Sequence, residues 1–250
     1  MKNDVASRIE QVLVRELLQG AYPMGTRMPT VRELAERFDV NVTTVQRALA
    51  RLEATGLVTA RQGSGIHVED PALTGEITLA PALLEAALHD SAARRRILQD
   101  FLDVRRALMT TMMIEHRDAI IAAGATLVGA AIELESVADD DIDGKLSADA
   151  AFSRLMVKLA GDNMTVAWLY NTALRMLRQV PFLAEAYYAD SAALRRHNLA
   201  IIQALVATRE SRGELWEELN RILVEMDHGI VERFETLLQT IRDSEDGDTG

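Results

Sequence analysis

The chain has 250 residues, 48% of them hydrophobic, which is enough to bury one large core or two smaller ones. It contains no cysteine, which excludes a disulfide framework and thiolate metal ligands and fits a reducing cytoplasm. The formal net charge is −11, the N-terminus is charged, and no run of about 18 apolar residues occurs, so we expect a cytoplasmic protein with no membrane partner.

The first seventy residues predict three helices and a hairpin. Apolar residues at helical spacing from Val5 to Leu17 predict a first helix, which Gly20 ends. Thr30 and Glu33 form a capping-box pattern for a second helix. Asn41 caps a third, whose buried stripe is Val45, Ala48, Leu49 and Leu52. The stretch "LVTARQGSGIHV" then has two short β-branched runs joined by glycines, which is typical of a hairpin.

Three helices followed by a hairpin predict a winged helix-turn-helix, a fold that presents its third helix to the major groove of DNA. Hydroxyls and backbone amides at the start of that helix would bind phosphates, and the glycine-rich hairpin tip would enter the minor groove. Arg47 and Arg51 either read bases or only hold phosphates or surface salt bridges. The exposed face of the third helix carries Thr43, Thr44, Gln46, Arg47 and Arg51.

The negative charge is unevenly distributed. Residues 1–70 contain nine Lys or Arg and nine Asp or Glu, so the whole excess of acidic residues lies in 71–250. Because salt screens charges over roughly 8 to 10 Å, an acidic second domain would barely oppose a positive surface on the first. The net charge therefore does not exclude a DNA-binding protein.

The segment "MPTVRELAERFDVNVTTVQRALARLEATGLVTARQGSGIHV" resembles the DNA-binding domain of GntR-superfamily transcription factors. The resemblance rests on Pro-x-x-Arg-x-Leu-Ala, Thr-Val-x-x-Ala-Leu and the closing Gly-x-Gly. It implies that Arg32, Thr43, Thr44 and Gln46 contact DNA. It also implies a wing tip made of Gln62, Gly63 and Ser64.

The third helix departs from the usual Ser-Arg-x-Thr-Val-Arg-Glu-Ala pattern of the members that carry a large helical effector domain. Val42 and Gln46 stand where those members have arginine. Arginine suits guanine, whereas glutamine suits adenine and valine offers only an apolar contact, for instance to a thymine methyl. We therefore expect an altered operator half-site.

The remainder of the chain predicts an all-α domain. Residues 70–78 contain Pro, Gly and polar groups and predict a linker after a DNA-binding domain at 1–69. Helical periodicity over 79–242, without convincing strand alternation, predicts an antiparallel bundle, whose interior is a common place for ligand sites. Residues 243–250 predict a disordered acidic tail. The fold class expected is mainly α.

The second domain resembles the FCD effector domain of the FadR-like branch of the superfamily. The local matches are "FLDVRRALMTTMM", "ADAAFSRLMVKLAGDN" and "RRHNLAIIQAL". The resemblance implies one of two sites. In most such domains an Asp and three His bind a divalent metal, whereas in the fatty-acid regulators the metal ligands are missing and the bundle takes an acyl-CoA.

The implied metal ligands are only partly present. Asp149 lies on a buried stripe and matches the family aspartate, but Ser153 and Asn198 occupy two of the histidine positions. His197 lies beside Asn198, and His228 fits the last position only with a longer connection. Since such metals need several N or O ligands, the pattern favours histidines without a metal. A divalent metal on Asp149, His197 and His228 is the alternative.

An organic effector, either an acyl-CoA or a small organic acid, is then expected in the bundle. Trp168 and Tyr188 are further candidates for its pocket, although large aromatic side chains in bundles are more often core packing. The candidate contacts are Arg105, Asp149, Ser153, Tyr170 and Asn198.

No nucleophile elbow, phosphate-binding loop or paired-carboxylate motif occurs, so we do not expect an enzyme. The predicted function is a ligand-responsive bacterial transcription regulator with three partners: a palindromic double-stranded DNA operator, a small-molecule effector and a second copy of itself. Dimerisation is expected because one winged helix contacts too few bases for selectivity. The alternatives are a metal-dependent carboxylate sensor, an effector-free architectural DNA-binding protein, and an enzyme with an unrecognised helical site.

Overall fold

The computed structural model describes residues 5–159, 161–207 and 211–247. These residues form helices and one two-stranded sheet, which confirms the mainly α fold class. The chain divides into two compact units between Asp90 and Ser91. Across the part of the chain that is described, no helix has both the length and the apolar character that crossing a membrane requires.

The first unit is a winged helix-turn-helix. Its core includes Leu13, Leu34 and Leu57, together with the whole predicted stripe of the third helix. The two strands pair antiparallel, with Val58 opposite Val68 and Arg61 opposite Gly65. The elements in chain order are α1 (Val5–Leu18), α2 (Val31–Phe38), α3 (Val42–Ala54), β1 (Val58–Arg61), β2 (Gly65–Val68), α4 (Pro71–Thr74), a 3-10 turn (Ile77–Leu79) and α5 (Ala80–Ala86).

Both predicted helix caps are present. The Glu33 amide donates to the Thr30 hydroxyl at 3.3 Å, and the Thr30 amide donates to a Glu33 carboxylate oxygen at 2.6 Å, which completes the capping box of α2. The Asn41 side chain accepts from the Thr44 amide at 2.8 Å and so begins α3. These two caps set the residues at which α2 and α3 begin.

The predicted linker at 70–78 is wrong in part, because this segment folds onto the first unit. The Asp70 carboxylate accepts from the Ala72 amide at 2.9 Å, and Pro71 occupies a first-turn position where its missing N–H costs nothing, so α4 begins there. The Thr74 hydroxyl donates to the Gly56 carbonyl at 2.7 Å, and Leu79 is buried in the core. The unit boundary therefore lies after residue 90.

The second unit is all-α, and its longest helix extends past the predicted end of the bundle. Residues 243–247 of the predicted acidic tail continue that helix. The side-chain amide of Gln239 donates there to the Asp243 carboxylate, one turn later, at 2.7 Å. Residues 248–250 of the same prediction lie outside the described residues. The elements are α6 (Ser91–Glu115), α7 (Arg117–Ala122), α8 (Gly124–Ser136), α9 (Ile142–Leu159), α10 (Met164–Gln179), α11 (Leu183–Tyr188), α12 (Ser191–Ala207) and α13 (Arg212–Gly247).

Candidate nucleic-acid interface and effector cavity

The predicted base-reading side chains lie on one exposed face of α3. Thr43, Gln46 and Arg47 are exposed and stand three and four residues apart, which places them side by side. Val42 is 40% exposed and lies one turn before Gln46. Arg32, near the start of α2, is exposed as well. A helix with this polar face and a fully buried opposite face is suited to lie in a major groove.

The two threonines at the start of α3 differ in their partners. The Thr44 amide and the Thr44 hydroxyl both donate to the Asn41 carboxamide oxygen, at 2.8 and 2.9 Å. The Thr43 side chain has no hydrogen bond to any residue that the structure describes. Thr43 is therefore the threonine whose hydroxyl is available to donate to a phosphate.

Arg51 contacts α1 although its side chain is 38% exposed. Its Nη1 donates to the Ser7 hydroxyl at 2.6 Å and to the Glu10 carboxylate at 3.2 Å. Of the two alternatives that the sequence left open for Arg51, the structure favours the internal salt bridge over base reading.

The wing tip is a three-residue turn, Gln62 to Ser64, that is exposed at every position. Gly63 and Gly65 have φ angles of 74° and 87°, a left-handed region in which side chains are strained. The Ser64 amide donates to the Arg61 carbonyl at 3.0 Å and closes the turn. The Ser64 hydroxyl lies 2.8 Å from Nε2 of His67. The tip is thus closed by two contacts of Ser64.

Arg27, which the sequence did not single out, lies against this wing. A Cβ atom added at Gly65 would stand 2.6 Å from its Nε. The backbone beside it joins the sheet, because the Met28 amide donates to the Ile66 carbonyl at 2.8 Å and the Val68 amide donates to the Thr26 carbonyl at 2.9 Å. The only sequence signal for this contact was the position of Arg27 just before the capping box of α2, together with Gly65 at the start of β2.

Four of the five predicted effector contacts line one cavity of the second unit. Arg105 of α6, Asp149 and Ser153 of α9, and Tyr170 of α10 surround a volume of about 60 Å³. Asn198 lines a different cavity. Trp168 is 59% exposed and lines neither of these two cavities.

A buried ion pair fixes the arginine of this cavity. The Arg105 guanidinium donates to the Asp227 carboxylate, whose other oxygen accepts from Arg106 Nη1 at 2.9 Å. Burial raises the pKa of Asp227, and the two guanidiniums oppose that rise. Sequence reasoning missed Asp227, although a carboxylate beside Met226 on the apolar stripe of α13 was a usable signal.

Asp149 is held by a tyrosine. The Tyr188 hydroxyl donates to its Oδ2 at 2.8 Å. Burial raises the pKa of Asp149, against the opposing effects of this hydrogen bond and of the Arg105 charge. Burial likewise raises the pKa of Tyr187, the next ring of the same helix, to about 12. The tyrosines therefore stay neutral hydrogen-bond donors at physiological pH.

Two polar groups around the cavity lack partners. Arg105 Nε and the Tyr170 hydroxyl are buried and form no hydrogen bond with the residues described. An unpaired buried donor costs roughly 1 to 3 kcal/mol, so such groups usually meet a ligand or water. The cavity is suited to a ligand that carries hydrogen-bond acceptors.

The residues predicted as metal ligands do not come together. The His228 side chain is 73% exposed on α13, with Nε2 4.0 Å from the Glu232 carboxylate, whereas Asp149 lies in the cavity. Within residues 5–159, 161–207 and 211–247, no group of three His, Asp or Glu side chains is arranged to hold a metal. This donor set does not fit a divalent ion.

Comparisons with known proteins give the same assignment for the first unit. Residues 5–68 match the family described as bacterial regulatory proteins, gntR family. The chain is 32% identical over 153 residues to an uncharacterized HTH-type transcriptional regulator of Mycobacterium tuberculosis, a match that covers 61% of this chain and 60% of the relative. It is 34% identical over 119 residues to the Uxu operon regulator of Haemophilus influenzae, covering 42% of this chain and 45% of the relative. These matches span only about half of each relative.

A solved structure described as "Lar controls the expression of the Listeria monocytogenes agr system and mediates virulence" has the same fold. Its TM-score is 0.57 at 13% identity, covering 95% of this chain and 99% of that one. The exposed polar face of α3, the two-stranded wing and the match over residues 5–68 together show that the N-terminal part of this chain is a winged helix-turn-helix domain similar to those of the gntR family.

Proposed function

We propose that the protein is a transcription regulator that binds a twofold DNA operator as a homodimer and responds to a small organic acid in the Arg105 cavity. The observation that carries the DNA-binding half is the exposed α3 face, beside a fixed wing, in a domain of the gntR family. Arg32, Thr43, Gln46 and the wing tip are the proposed DNA contacts, with Arg47 beside them.

Exposed apolar side chains of the second unit support the dimer. Val104 of α6, Trp168 of α10 and Trp216 of α13 are 60%, 59% and 45% exposed. Large apolar side chains gain free energy when an interface covers them, at about 25 cal/mol per Å². Two copies would then read two half-sites together, which gives the selectivity that one small domain lacks.

The unpaired donors of the cavity support an acidic effector. A ligand carboxylate would accept from Arg105 Nε and from the Tyr170 hydroxyl, and so would satisfy both groups. A volume of about 60 Å³ suits a small acid and is far too small for the nucleotide of an acyl-CoA. The resemblance to the FCD effector domain of the FadR-like branch supports the same location.

The test for the DNA-binding half is selection of duplexes from a randomised library, followed by affinity measurements on the recovered site. Arg32→Ala should weaken binding and reduce the dependence of affinity on salt by about one ion. Arg96→Ala, which removes the same charge from an 83% exposed position on α6, is the control. Recovery of no preferred sequence, or equal losses in both variants, would refute the operator proposal.

The test for the effector half is Tyr170→Phe, which removes one hydroxyl and nothing else. Since that hydroxyl has no described partner, the ligand-free variant should be as stable as the wild type or more so. A panel of acids with two to five carbons should raise the Tm of the wild type and leave the variant unchanged. An acyl-CoA found by native mass spectrometry, or an equal response of both proteins, would overturn the small-acid proposal.

A further inference from the structure

A second cavity in the helical unit lies between α8, α9 and α12 and has a volume of about 230 Å³. It shares no lining residue with the Arg105 cavity. Its walls are mainly aliphatic. Six of the side chains that form them are Val128, Ala131, Leu134, Leu194, Leu199 and Ile202.

The charged side chains of this cavity and its tyrosine already have partners, and the remaining polar side chain, Asn198, is neutral. Lys145 is 1% exposed, and its ammonium donates to the Asp139 carboxylate at 2.7 Å. Glu135 is also partnered, and the Tyr188 hydroxyl donates to Asp149. A charged ligand would therefore find no free counter-ion here and would lose its hydration without compensation.

The local charge argues against an anion in particular. Glu135 lines the cavity, and the Lys145 ammonium already pairs with Asp139, so a ligand carboxylate would meet no unpaired positive charge. A ligand cation would have to compete with Lys145 for its carboxylate or remain unpaired among aliphatic side chains. An uncharged molecule escapes both costs.

The volume sets the size of the occupant. An aliphatic cavity of about 150 Å³ stays dry and takes up benzene. A cavity of about 230 Å³ is half as large again and so matches a bicyclic aromatic. Ile132 and Leu199, two of its lining residues, are 58% and 45% exposed, which gives such a molecule a way in.

We infer that this cavity is a second ligand site, for a small, uncharged, apolar molecule of about the size of indole. The site is separate from the acid site of the proposed function. Tyr188 connects the two, because its ring lines this cavity while its hydroxyl holds Asp149 of the other. Occupancy of the new site is therefore expected to change affinity at the acid site.

Calorimetric titration of the full-length protein with indole tests the inference. Indole should bind with a negative heat-capacity change, while benzoate and benzylamine, which are charged and similar in size, should bind at least tenfold more weakly. Ala131→Leu fills the cavity and should weaken indole binding at least tenfold. Ala125→Leu, at an exposed position of the same helix, is the matched control and should bind as the wild type does.

Isoleucine methyl NMR keeps the test decisive if Ala131→Leu fails to fold. Indole should shift the signals of Ile132 and Ile202, which line this cavity, and leave that of Ile9 in the first unit unchanged. Shifts confined to Ile230, which lines the Arg105 cavity, would overturn the inference. So would absent binding, tighter binding of either charged probe, or unchanged binding to a folded Ala131→Leu variant.

Discussion

At the scale of single residues, the two threonines that begin α3 have separate tasks. The Thr44 hydroxyl donates to the Asn41 cap, whereas the Thr43 hydroxyl has no partner among the described residues and is the proposed phosphate contact. Thr43→Val should weaken operator binding about five- to tenfold at unchanged Tm, the loss of one hydrogen bond of roughly 1 kcal/mol. Thr44→Val should instead lower the free energy of unfolding by about 0.5 to 1.5 kcal/mol. Fluorescence anisotropy and thermal melts separate the two, and identical behaviour would refute this division.

Asp149 gives the second unit a predictable dependence on pH. Burial holds its pKa above the ordinary value of 3.8, so the folded protein binds the proton more tightly than the unfolded chain does. Its contribution to stability is thus fully present below pH 3.8 and is lost as the pH rises through the folded-state pKa. Asp149→Asn keeps an acceptor for Tyr188 but cannot titrate.

The difference in Tm between wild type and Asp149→Asn, measured from pH 3.5 to pH 8, isolates this carboxyl from the other acidic groups. The wild type should lose stability relative to the variant as the pH rises. A constant difference would mean that Asp149 titrates as an ordinary aspartate.

At the scale of elements, the wing depends on Gly65. The Gly65 backbone has a φ of 87°, and a Cβ atom added there would stand 2.6 Å from Arg27 Nε. Gly65→Ala should therefore displace the Arg27 guanidinium from the wing. We expect Gly65→Ala and Arg27→Ala to weaken operator binding similarly, and the double variant to lose much less than the sum. Gly20→Ala is the control for backbone strain alone, because Gly20 has a φ of 77° and a Cβ atom added there would have no neighbour within 4 Å. Additive losses of operator affinity in anisotropy titrations would mean that Gly65 and Arg27 act independently.

The elements that sequence predicted well are those specified by neighbours in the chain. Caps at Thr30 and Asn41 and the stripe of α3 act within one or two turns, so their pattern is legible. The four-residue α4 is too short for periodicity, and its Pro71 resembles a helix breaker. The Asp227 partner of Arg105 lies 122 residues away, a distance over which local patterns carry no information. The same reason explains why Asn198 was grouped with the wrong cavity.

At the scale of the whole molecule, the net negative charge does not oppose the proposed DNA binding, because the excess of acidic residues lies in 71–250. The first ninety residues carry Glu85 and Glu16 in ion pairs with Arg15 and Arg37, so part of their acidic charge is neutralised locally. Exposed Arg32 and Arg47 lie on the reading elements. Salt screens carboxylates that lie more than roughly 8 to 10 Å away, so the local charge of the proposed DNA-contacting surface decides its interaction with a phosphate.

The extent of the first unit can be tested with two fragments. Leu79 and Leu84 are 7% and 0% exposed, and Glu85 pairs with Arg15 of α1 at 3.0 Å, so residues 71–86 contribute to the stability of this unit. A fragment of residues 1–90 should therefore unfold with a free energy about 3 kcal/mol higher than that of residues 1–69, since each buried leucine contributes roughly 1.5 to 3 kcal/mol. Urea denaturation followed by circular dichroism measures the difference. Leu84→Ala in the longer fragment should remove about 2 to 3 kcal/mol, which is most of this gain. Equal stability of the two fragments would return residues 70–78 to the role of a linker, and the winged helix-turn-helix would then be complete at residue 69.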